Sequence, residues 1–262
     1  MVLTPAERLL QELGVSEPKD IDLEAIAYHL GARIKYRPLD GCDARIVGVG
    51  DKAIITVNAR SSSQRKRFSI AHELGHWKND RGKSLVCRVN DYRPDHRLST
   101  ERIADRYAAD LLMPRYLFKP AVQRFDKLTF KAIATLAGDF DTSLTSTAIR
   151  VVESNHWPAV LVCHGQAGRK WFTRAPMVPE RWFPQEALDA DSYAIDVLYG
   201  RKPDNSHPRK IGADAWFDRR EAERYEVFEE SVRAGPTEVL CLLNLTDPGM
   251  LEEQESWGYD RR

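Results

Sequence analysis

Apolar and polar residues follow two different spacings in the first sixty residues of the chain. Near the N-terminus apolar residues recur every three or four positions, and Thr4-Pro5-Ala6-Glu7 has the form of a capping box, so this part predicts two helices. Shorter apolar runs then predict strands, two of which are joined as a hairpin across Gly50-Asp51. The strands are expected over residues 32–36, 44–49 and 53–57.

The segment from residue 61 to residue 77 predicts one buried helix. Ser61-Ser62-Ser63-Gln64 is a second capping box at its start. Between Phe68 and Trp77 there is no Lys, Arg or Asp, and apolar residues occur nearly all round the helix, which is typical of a buried helix. The few polar residues in this stretch are therefore candidates for chemistry.

Those polar residues include the pattern His72-Glu73-Leu74-Gly75-His76. Residues four apart lie on one helix face, so the two imidazoles can hold one metal ion while Glu73 lies beside them and acts on a water molecule. That arrangement suits metal-assisted hydrolysis. In the alternative interpretation, both histidines are core residues that bind no metal and are hydrogen-bonded to other groups. Burying two histidines and a glutamate without partners costs free energy, and a bound cation would remove that cost.

A second helix, predicted from residue 99 or 100 to Met113, offers a third ligand. Glu101 and Asp105 lie at the edge of its apolar stripe, so Glu101 can complete a His2Glu set and Asp105 can accept a hydrogen bond from a ligand histidine. Each residue also has a simpler interpretation. Glu101 could be an acid in a first helical turn that complements the helix dipole, and Asp105 could be a solvated or ion-paired side chain. The predicted stripe comprises Ile103, Ala104, Tyr107, Ala108, Leu111 and Leu112. The charged residues predicted to point away are Arg102, Arg106 and Asp110.

Taken together, the two helices resemble a known family. Arg67-Phe-Ser-Ile-Ala-His-Glu-Leu-Gly-His76 and Glu101-Arg-Ile-Ala-Asp-Arg-Tyr-Ala-Ala-Asp-Leu-Leu-Met-Pro114 are similar to the two motifs of the ImmA/IrrE family of bacterial metallopeptidases. The resemblance covers residues 1 to about 153. One difference is that Asp105 stands where the family usually has Asn.

The resemblance implies a fold, an activity and a partner. The fold is a zincin-like metallopeptidase domain in which His72, His76 and Glu101 bind zinc, with Mn²⁺ or Fe²⁺ as alternatives, and Glu73 is the catalytic acid/base. In this family the peptidase typically cleaves or destabilises a helix-turn-helix repressor in response to DNA damage or mobile-element signals. The chain is therefore predicted to be a zinc-dependent endopeptidase acting on such a transcriptional repressor.

The donor that would stabilise the oxyanion remains open. Four side chains qualify by residue type, although each type is more often structural than catalytic. They are Tyr92, His96, Tyr107 and His164.

Two further segments follow the predicted peptidase domain, residues 1–125. Residues 126–155 have the order of a helix-turn-helix, with a turn at Gly138 and a Thr142-Ser143 cap, but the second helix has one Arg and no Lys, so a packing hairpin is preferred to strong DNA binding. Residues 156–262 alternate short apolar runs with turns, which predicts a mixed α/β domain containing a sheet. The fold class is therefore α+β.

The C-terminal domain resembles the sensory, sometimes GAF-like halves of longer family members. Its aromatic residues are dense, and they either line a ligand pocket or fill a core. They are Trp157, Trp171, Phe172, Trp182, Phe183, Trp216 and Phe217.

The composition of the chain limits which classes of partner it can bind and indicates its cellular compartment. Lys+Arg and Asp+Glu both number 39, so no global field draws the chain to nucleic acid or to an acidic membrane. The four cysteines are far apart, which fits a reducing compartment, and no apolar run is long enough to span a bilayer. With no signal-peptide core at its start, the chain is predicted to be cytoplasmic.

Two other functions compete with the peptidase. A non-catalytic regulator that keeps the metal fold and docks to a repressor or DNA has no need of a general base, so the presence of Glu73 favours an enzyme. A toxin–antitoxin component of a mobile element is the third hypothesis, and the sequence does not separate it from the others.

Overall fold

The computed structural model describes residues 2–80, 85–86, 94–200 and 207–252. They form two compact units. The first contains the residues up to Arg124 together with Thr135–Ser146, and the second contains Phe125–Ala134 together with the residues from Thr147 onward. Each unit combines helices with one sheet, so the α+β class is confirmed. The division into three domains at residues 125 and 155 stays a prediction.

The first unit contains α1 (Pro5–Glu12), α2 (Leu23–His29), α3 (Ser63–Asp80), α4 (Pro94–Leu112) and α5 (Arg115–Val122). Its strands are β1 (Ala32–Arg37), β2 (Ala44–Val49), β3 (Lys52–Asn58) and β4 (Leu85–Val86). The sheet order is β1-β3-β2-β4, with β1 parallel to β3 and the other pairs antiparallel. These bounds and the antiparallel pairing of β2 with β3 confirm the predicted strands and their hairpin. Alternate positions of β2 and β3 enter the core.

Helix α3 is held against this sheet by one large side chain. Trp77 is buried, and its indole Nε1 donates a hydrogen bond to the Leu30 carbonyl at 2.8 Å. Its ring occupies the space beside Gly48 on β2, where an added Cβ would lie 2.4 Å from a ring atom. Gly48 is therefore needed for the close approach of α3 to the sheet, which fixes the C-terminal half of that helix.

The starts of the two motif helices differ from the predicted ones. Ser62, not Ser61, caps α3, since its Oγ accepts from Arg65 N at 3.3 Å, whereas the Ser61 hydroxyl donates to Asp43 Oδ1 at 2.9 Å. The predicted capping box is therefore wrong by one residue, because the Ser61 hydroxyl is hydrogen-bonded to Asp43 and does not cap the helix. Helix α4 begins at Pro94, several residues before the predicted start, and proline is well tolerated at the first position of a helix.

The predicted apolar stripe of α4 is wrong at two positions. Ile103 is 52% exposed, although it was assigned to the buried face. Asp110 is buried, although it was expected to point to solvent, and its charge helps to raise the pKa of Arg115 after the larger effect of the Glu7 hydrogen bond. The helical pattern of α4 did not predict the burial of Asp110, because burial at this position is set by tertiary packing.

Glu7 is a buried carboxylate that joins α1 to the start of α5. It accepts hydrogen bonds from Thr4 N at 2.9 Å and Arg115 N at 2.7 Å, and it pairs with the Arg115 guanidinium at 2.8 Å. Burial acts to raise the pKa of Glu7, but the hydrogen bonds from Arg115 and Thr4 outweigh it and lower the pKa to about 2. Glu7 therefore stabilises the fold in its charged form.

Glu7→Gln is expected to destabilise the protein at pH 7 but not near pH 2. Because the folded-state pKa lies below the unfolded value of 4.5, the stabilisation is complete above pH 4.5 and is lost as the pH falls toward 2. The expected loss at pH 7 is on the order of 2 kcal/mol, discounted for the partial exposure of Arg115. Urea unfolding at both pH values measures it, with exposed Glu12→Gln as the control. A loss independent of pH would contradict this account.

Two helices follow the first unit's α5 along the chain, α6 (Phe130–Phe140) and α7 (Leu144–Glu153). The predicted turn at Gly138 is wrong, since α6 continues through it and the chain turns at Asp141, which has φ +47°. The predicted cap of α7 is confirmed at Ser143, whose Oγ accepts from Ser146 N at 3.1 Å.

The second unit is built on a five-stranded antiparallel sheet in the order β6-β5-β9-β8-β7. Its strands are β5 (Ala159–Gly165), β6 (Gly168–Arg174), β7 (Arg209–Gly212), β8 (Glu226–Gly235) and β9 (Glu238–Asn244). Helices α8 (Tyr193–Leu198) and α9 (Pro248–Leu251) accompany it. Strand β5 is buried along its whole length and pairs with β6 on one side and β9 on the other, which confirms the predicted sheet-containing region.

Three of the seven aromatic residues that the sequence singled out in this unit are core residues. Trp182, Trp216 and Phe217 are at most 1% exposed, so these three fill the core rather than line an open pocket. Phe183 is 52% exposed and packs beside Phe172. A sensory, GAF-like role of this unit stays a prediction.

Two properties of the whole chain can be checked within the described ranges. No helix there has both the length and the apolar composition that a bilayer crossing requires. Cys42, Cys163 and Cys241 are free thiols, and Cys87 lies outside the described residues.

Candidate metal centre

Helices α3 and α4 approach one another closely at Gly75. A Cβ at this position would lie 2.9 Å from Ala104 Cα and 3.2 Å from Tyr107 Cβ, both on α4. Backbone atoms cannot move aside as the end of a flexible side chain can, so a residue without a side chain is required here. The close contact brings Glu101 on α4 alongside His72 and His76 on α3.

Three side chains from these helices converge. The Nε2 atoms of His72 and His76 are 3.0 Å apart, and Glu101 carboxylate oxygens lie 3.2 Å from His72 Nε2 and 3.5 Å from His76 Nε2. Ligand atoms at zinc bonding distances in a tetrahedral site lie about 3.3 Å from one another. Both the spacing and the donor types, two imidazole nitrogens and a carboxylate, therefore fit one divalent ion.

Asp105 determines which nitrogen of His72 faces this point. Its Oδ1 lies 2.9 Å from His72 Nδ1, and since an ionised carboxylate only accepts, Nδ1 carries the proton of the neutral ring, which leaves the Nε2 lone pair free in that form. Burial acts to lower the pKa of His72, but the hydrogen bond and charge of Asp105 outweigh it and raise that pKa. Asp105 thus lies next to His72, the neighbour that the sequence suggested for it, and its role beside a metal ligand stays a prediction.

Glu73 has a buried carboxylate oxygen without a partner. The residue is 5% exposed, and among the described residues nothing forms a hydrogen bond with its Oε2. Burial raises the pKa of Glu73 to about 7, with His72 opposing the shift and Glu101 adding to it. A buried acceptor of this kind costs free energy unless a water, a substrate group or a cation pairs with it. Its basicity near neutral pH suits a general base.

A cavity of about 440 Å³ is lined on one side by His72, Glu73, Glu101 and Asp105. Its remaining wall consists of Asp43, Ala44, Arg65, Phe68 and Ser69. Arg65 donates to Asp43 Oδ2 from Nε at 2.8 Å and from Nη2 at 2.7 Å, which ties the start of α3 to the start of β2. The cavity is large enough for a peptide segment.

Sequence reasoning missed this wall, although part of it was detectable. Arg65, Phe68 and Ser69 lie seven, four and three residues before His72, so helical spacing places all of them on the face of the ligand histidine. Asp43 and Ala44 come from a distant segment, and no local pattern indicated them.

None of the four proposed oxyanion donors is placed at the cavity by the described residues. Tyr107 is buried beside Gly75, its hydroxyl has no described hydrogen-bond partner, and burial raises its pKa to about 12. His164 belongs to β5 of the second unit, where burial lowers its pKa to about 4. Tyr92 and the side chain of His96 lie outside the described residues.

Comparisons with known proteins point to one family. Residues 27–152 match the family model described as the IrrE N-terminal-like domain. The chain is 27% identical over 132 residues to the "Radiation response metalloprotease IrrE" of Deinococcus radiodurans, which covers 50% of this chain and 39% of that protein. It is 31% identical over 109 residues to the protein of the same name from Deinococcus deserti, covering 41% and 38%. The matched region thus spans about two fifths of the length of these relatives.

A solved structure shares the fold over a longer stretch. A Mycobacterium tuberculosis transcriptional regulator superposes with a TM-score of 0.59 and 14% identity, covering 92% of this chain and 86% of the regulator. At this identity the likeness concerns the fold alone. The match of residues 27–152 and the similarity to two metalloproteases identify the family of this part of the chain: residues 27–152 belong to the ImmA/IrrE family.

Proposed function

We propose that this chain is a zinc-dependent endopeptidase of the zincin type that hydrolyses a peptide bond in a helix-turn-helix transcriptional repressor. The observation that carries the proposal is the convergence of His72, His76 and Glu101 on one point, beside a buried carboxylate that lacks a partner. Membership of a family whose relatives are called metalloproteases supports the same activity.

His72, His76 and Glu101 would hold the ion. When bound, it would supply Lewis acidity, which lowers the pKa of a water toward about 7 and polarises a carbonyl. Zinc is the typical occupant of a His2Glu set, and Mn²⁺ or Fe²⁺ could use the same donors.

Two further residues act on protons. Glu73 takes the proton of the attacking water at Oε2 and passes it to the leaving amine, a role that its raised pKa favours. Asp105 keeps the proton of His72 on Nδ1, so that the Nε2 lone pair remains directed at the ion. The peptide would lie in the cavity that Glu73 lines.

Metal content tests the centre directly. The purified chain is expected to bind about one equivalent of zinc, and His76→Ala or Glu101→Gln should weaken that affinity by about 100-fold or more. The matched control is His29→Ala, since His29 is an exposed histidine of the first unit. A folded wild-type protein that takes up no divalent metal, or a His76→Ala variant that binds it equally well, would overturn the metal site.

Cleavage tests the substrate class. The metal-loaded chain is expected to cut a helix-turn-helix repressor encoded beside its own gene, and mass spectrometry of the fragments would identify the bond. A repressor that is bound but remains intact would instead support the docking function. A repressor that is neither bound nor cut would remove this class of substrate.

A further inference from the structure

Asp141 occupies a helix-terminal position that usually belongs to glycine. Helix α6 ends in a Schellman motif, in which Thr142 N donates to the Ala137 carbonyl at 3.0 Å and Asp141 N donates to the Gly138 carbonyl at 3.3 Å. The residue between these bonds must be left-handed, and Asp141 has φ +47°. Side chains with a Cβ are strained in this region, so an aspartate here needs a compensating contact.

That contact is made with helix α3. Gln64 Nε2 lies 3.3 Å from Asp141 Oδ1, and Arg67 Nε lies 3.4 Å from Asp141 Oδ2. Each oxygen of the carboxylate therefore faces one side chain of the helix that carries the metal ligands. The Arg67 side chain is only 21% exposed, and its buried Nε is ion-paired with Asp141 without a hydrogen bond, so the loss of Asp141 would remove the carboxylate that faces this cation. A glycine would relieve the strain but remove both contacts.

Arg67 and Gln64 lie upstream of both ligand histidines on α3. Beyond them the helix is fixed by Gly75 against α4 and by Trp77 against the sheet. His72 lies five residues after Arg67, about 7.5 Å along the helix axis. If the N-terminal half of α3 pivots about the packed half, His72 moves further than His76.

We propose that Asp141 is a positioning residue, which fixes the N-terminal half of α3 so that His72 stays within bonding reach of the point shared with His76 and Glu101. The inference rests on the proposed metal site. It assigns the α6–α7 turn a part in metal binding, although Asp141 itself touches no ligand. The backbone strain at Asp141 is then tolerated because its carboxylate holds α3, the helix that carries His72 and His76, in place.

The experiment separates this role from a contribution to folding. Asp141→Gly removes the strain and the contacts together, so the metal-free variant should melt within about 3 °C of wild type. Its zinc affinity, measured by chelator competition, should nevertheless fall about tenfold. Asp141→Asn keeps a side chain that tolerates φ > 0 and can still accept from Gln64, so its loss should be smaller.

A matched control exists in the chain. Asn155 is the other non-glycine residue with positive φ among those described, at +60°, and it also follows a helix, but its Oδ1 accepts from Met177 N and its side chain makes no described contact with α3. Asn155→Gly should leave zinc affinity unchanged. Arg67→Met should reproduce part of the loss seen with Asp141→Gly, and the double variant should be no worse than Asp141→Gly alone, because Asp141→Gly already removes the Arg67 contact.

Amide hydrogen exchange of the metal-free protein decides the inference even if the metal proposal fails. Residues 64–72 should exchange about tenfold faster in Asp141→Gly than in wild type, while residues 74–78 should be unchanged. Unchanged exchange of residues 64–72 would overturn the positioning role, as would wild-type zinc affinity in Asp141→Gly. A wild-type chain that binds no zinc would overturn the proposed function alone.

Discussion

Glu73→Gln is expected to abolish peptide hydrolysis, with a loss on the order of 10³-fold or more, while the variant still binds metal. Glutamine has the same shape, and its amide cannot take a proton from water. Glu73 is not one of the converging ligands His72, His76 and Glu101, so zinc affinity should change little. Single-turnover cleavage of a repressor substrate and zinc titration of the same preparation measure the two properties separately.

The same substitution has a second, opposite effect on stability. The pKa of Glu73 in the folded metal-free protein is about 7, above the usual 4.5, so ionising it destabilises the fold as the pH rises through this interval. Metal-free Glu73→Gln should therefore melt at a higher temperature than wild type at pH 8 and at the same temperature near pH 4. Exposed Glu12→Gln should change neither melting nor cleavage. Undiminished cleavage by Glu73→Gln would remove Glu73 from the mechanism.

Gly75→Ala should disrupt the metal centre without touching a ligand. The new Cβ would lie 2.9 Å from Ala104 Cα, so α3 and α4 must separate by several tenths of an ångström. Such overpacking typically costs about 1–3 kcal/mol, while the greater helix propensity of alanine returns roughly 1 kcal/mol. Since His72 and His76 lie on one helix and Glu101 on the other, zinc affinity is expected to fall by about tenfold or more.

The control for Gly75 is a glycine in a helix with free space around it. An added Cβ at Gly138 in α6 meets no atom within 4 Å, so Gly138→Ala should stabilise the protein by about 0.5–1 kcal/mol through helix propensity alone. Urea unfolding and chelator competition on both variants give the comparison. If Gly75→Ala bound zinc as tightly as wild type, the close approach of the helices would not be what sets the ligand spacing.

Local patterns identified the pieces of the site but not its walls. The fourfold spacing of His72 and His76 follows from helix geometry, and the position of Glu101 at the edge of an apolar stripe required only one more helix. Asp43 could not be anticipated in the same way, because its place at the cavity depends on the pairing of β2 with β3 and on its ion pair with Arg65. Asp43 also accepts a hydrogen bond from the Ser61 hydroxyl, so this tertiary contact replaces the helix cap that the local sequence predicted for Ser61.

The sequence by itself determined the α+β class, the strands of the first unit, the two motif helices and the residue types suited to a metal, because helical and strand periodicities and metal chemistry are local properties. Only the tertiary structure decided how close α3 and α4 lie at Gly75, that Glu73 is buried without a partner, and that Asp141 reaches Arg67. These features depend on atoms from segments far apart in the chain. Their distances are set by packing, which no local pattern specifies.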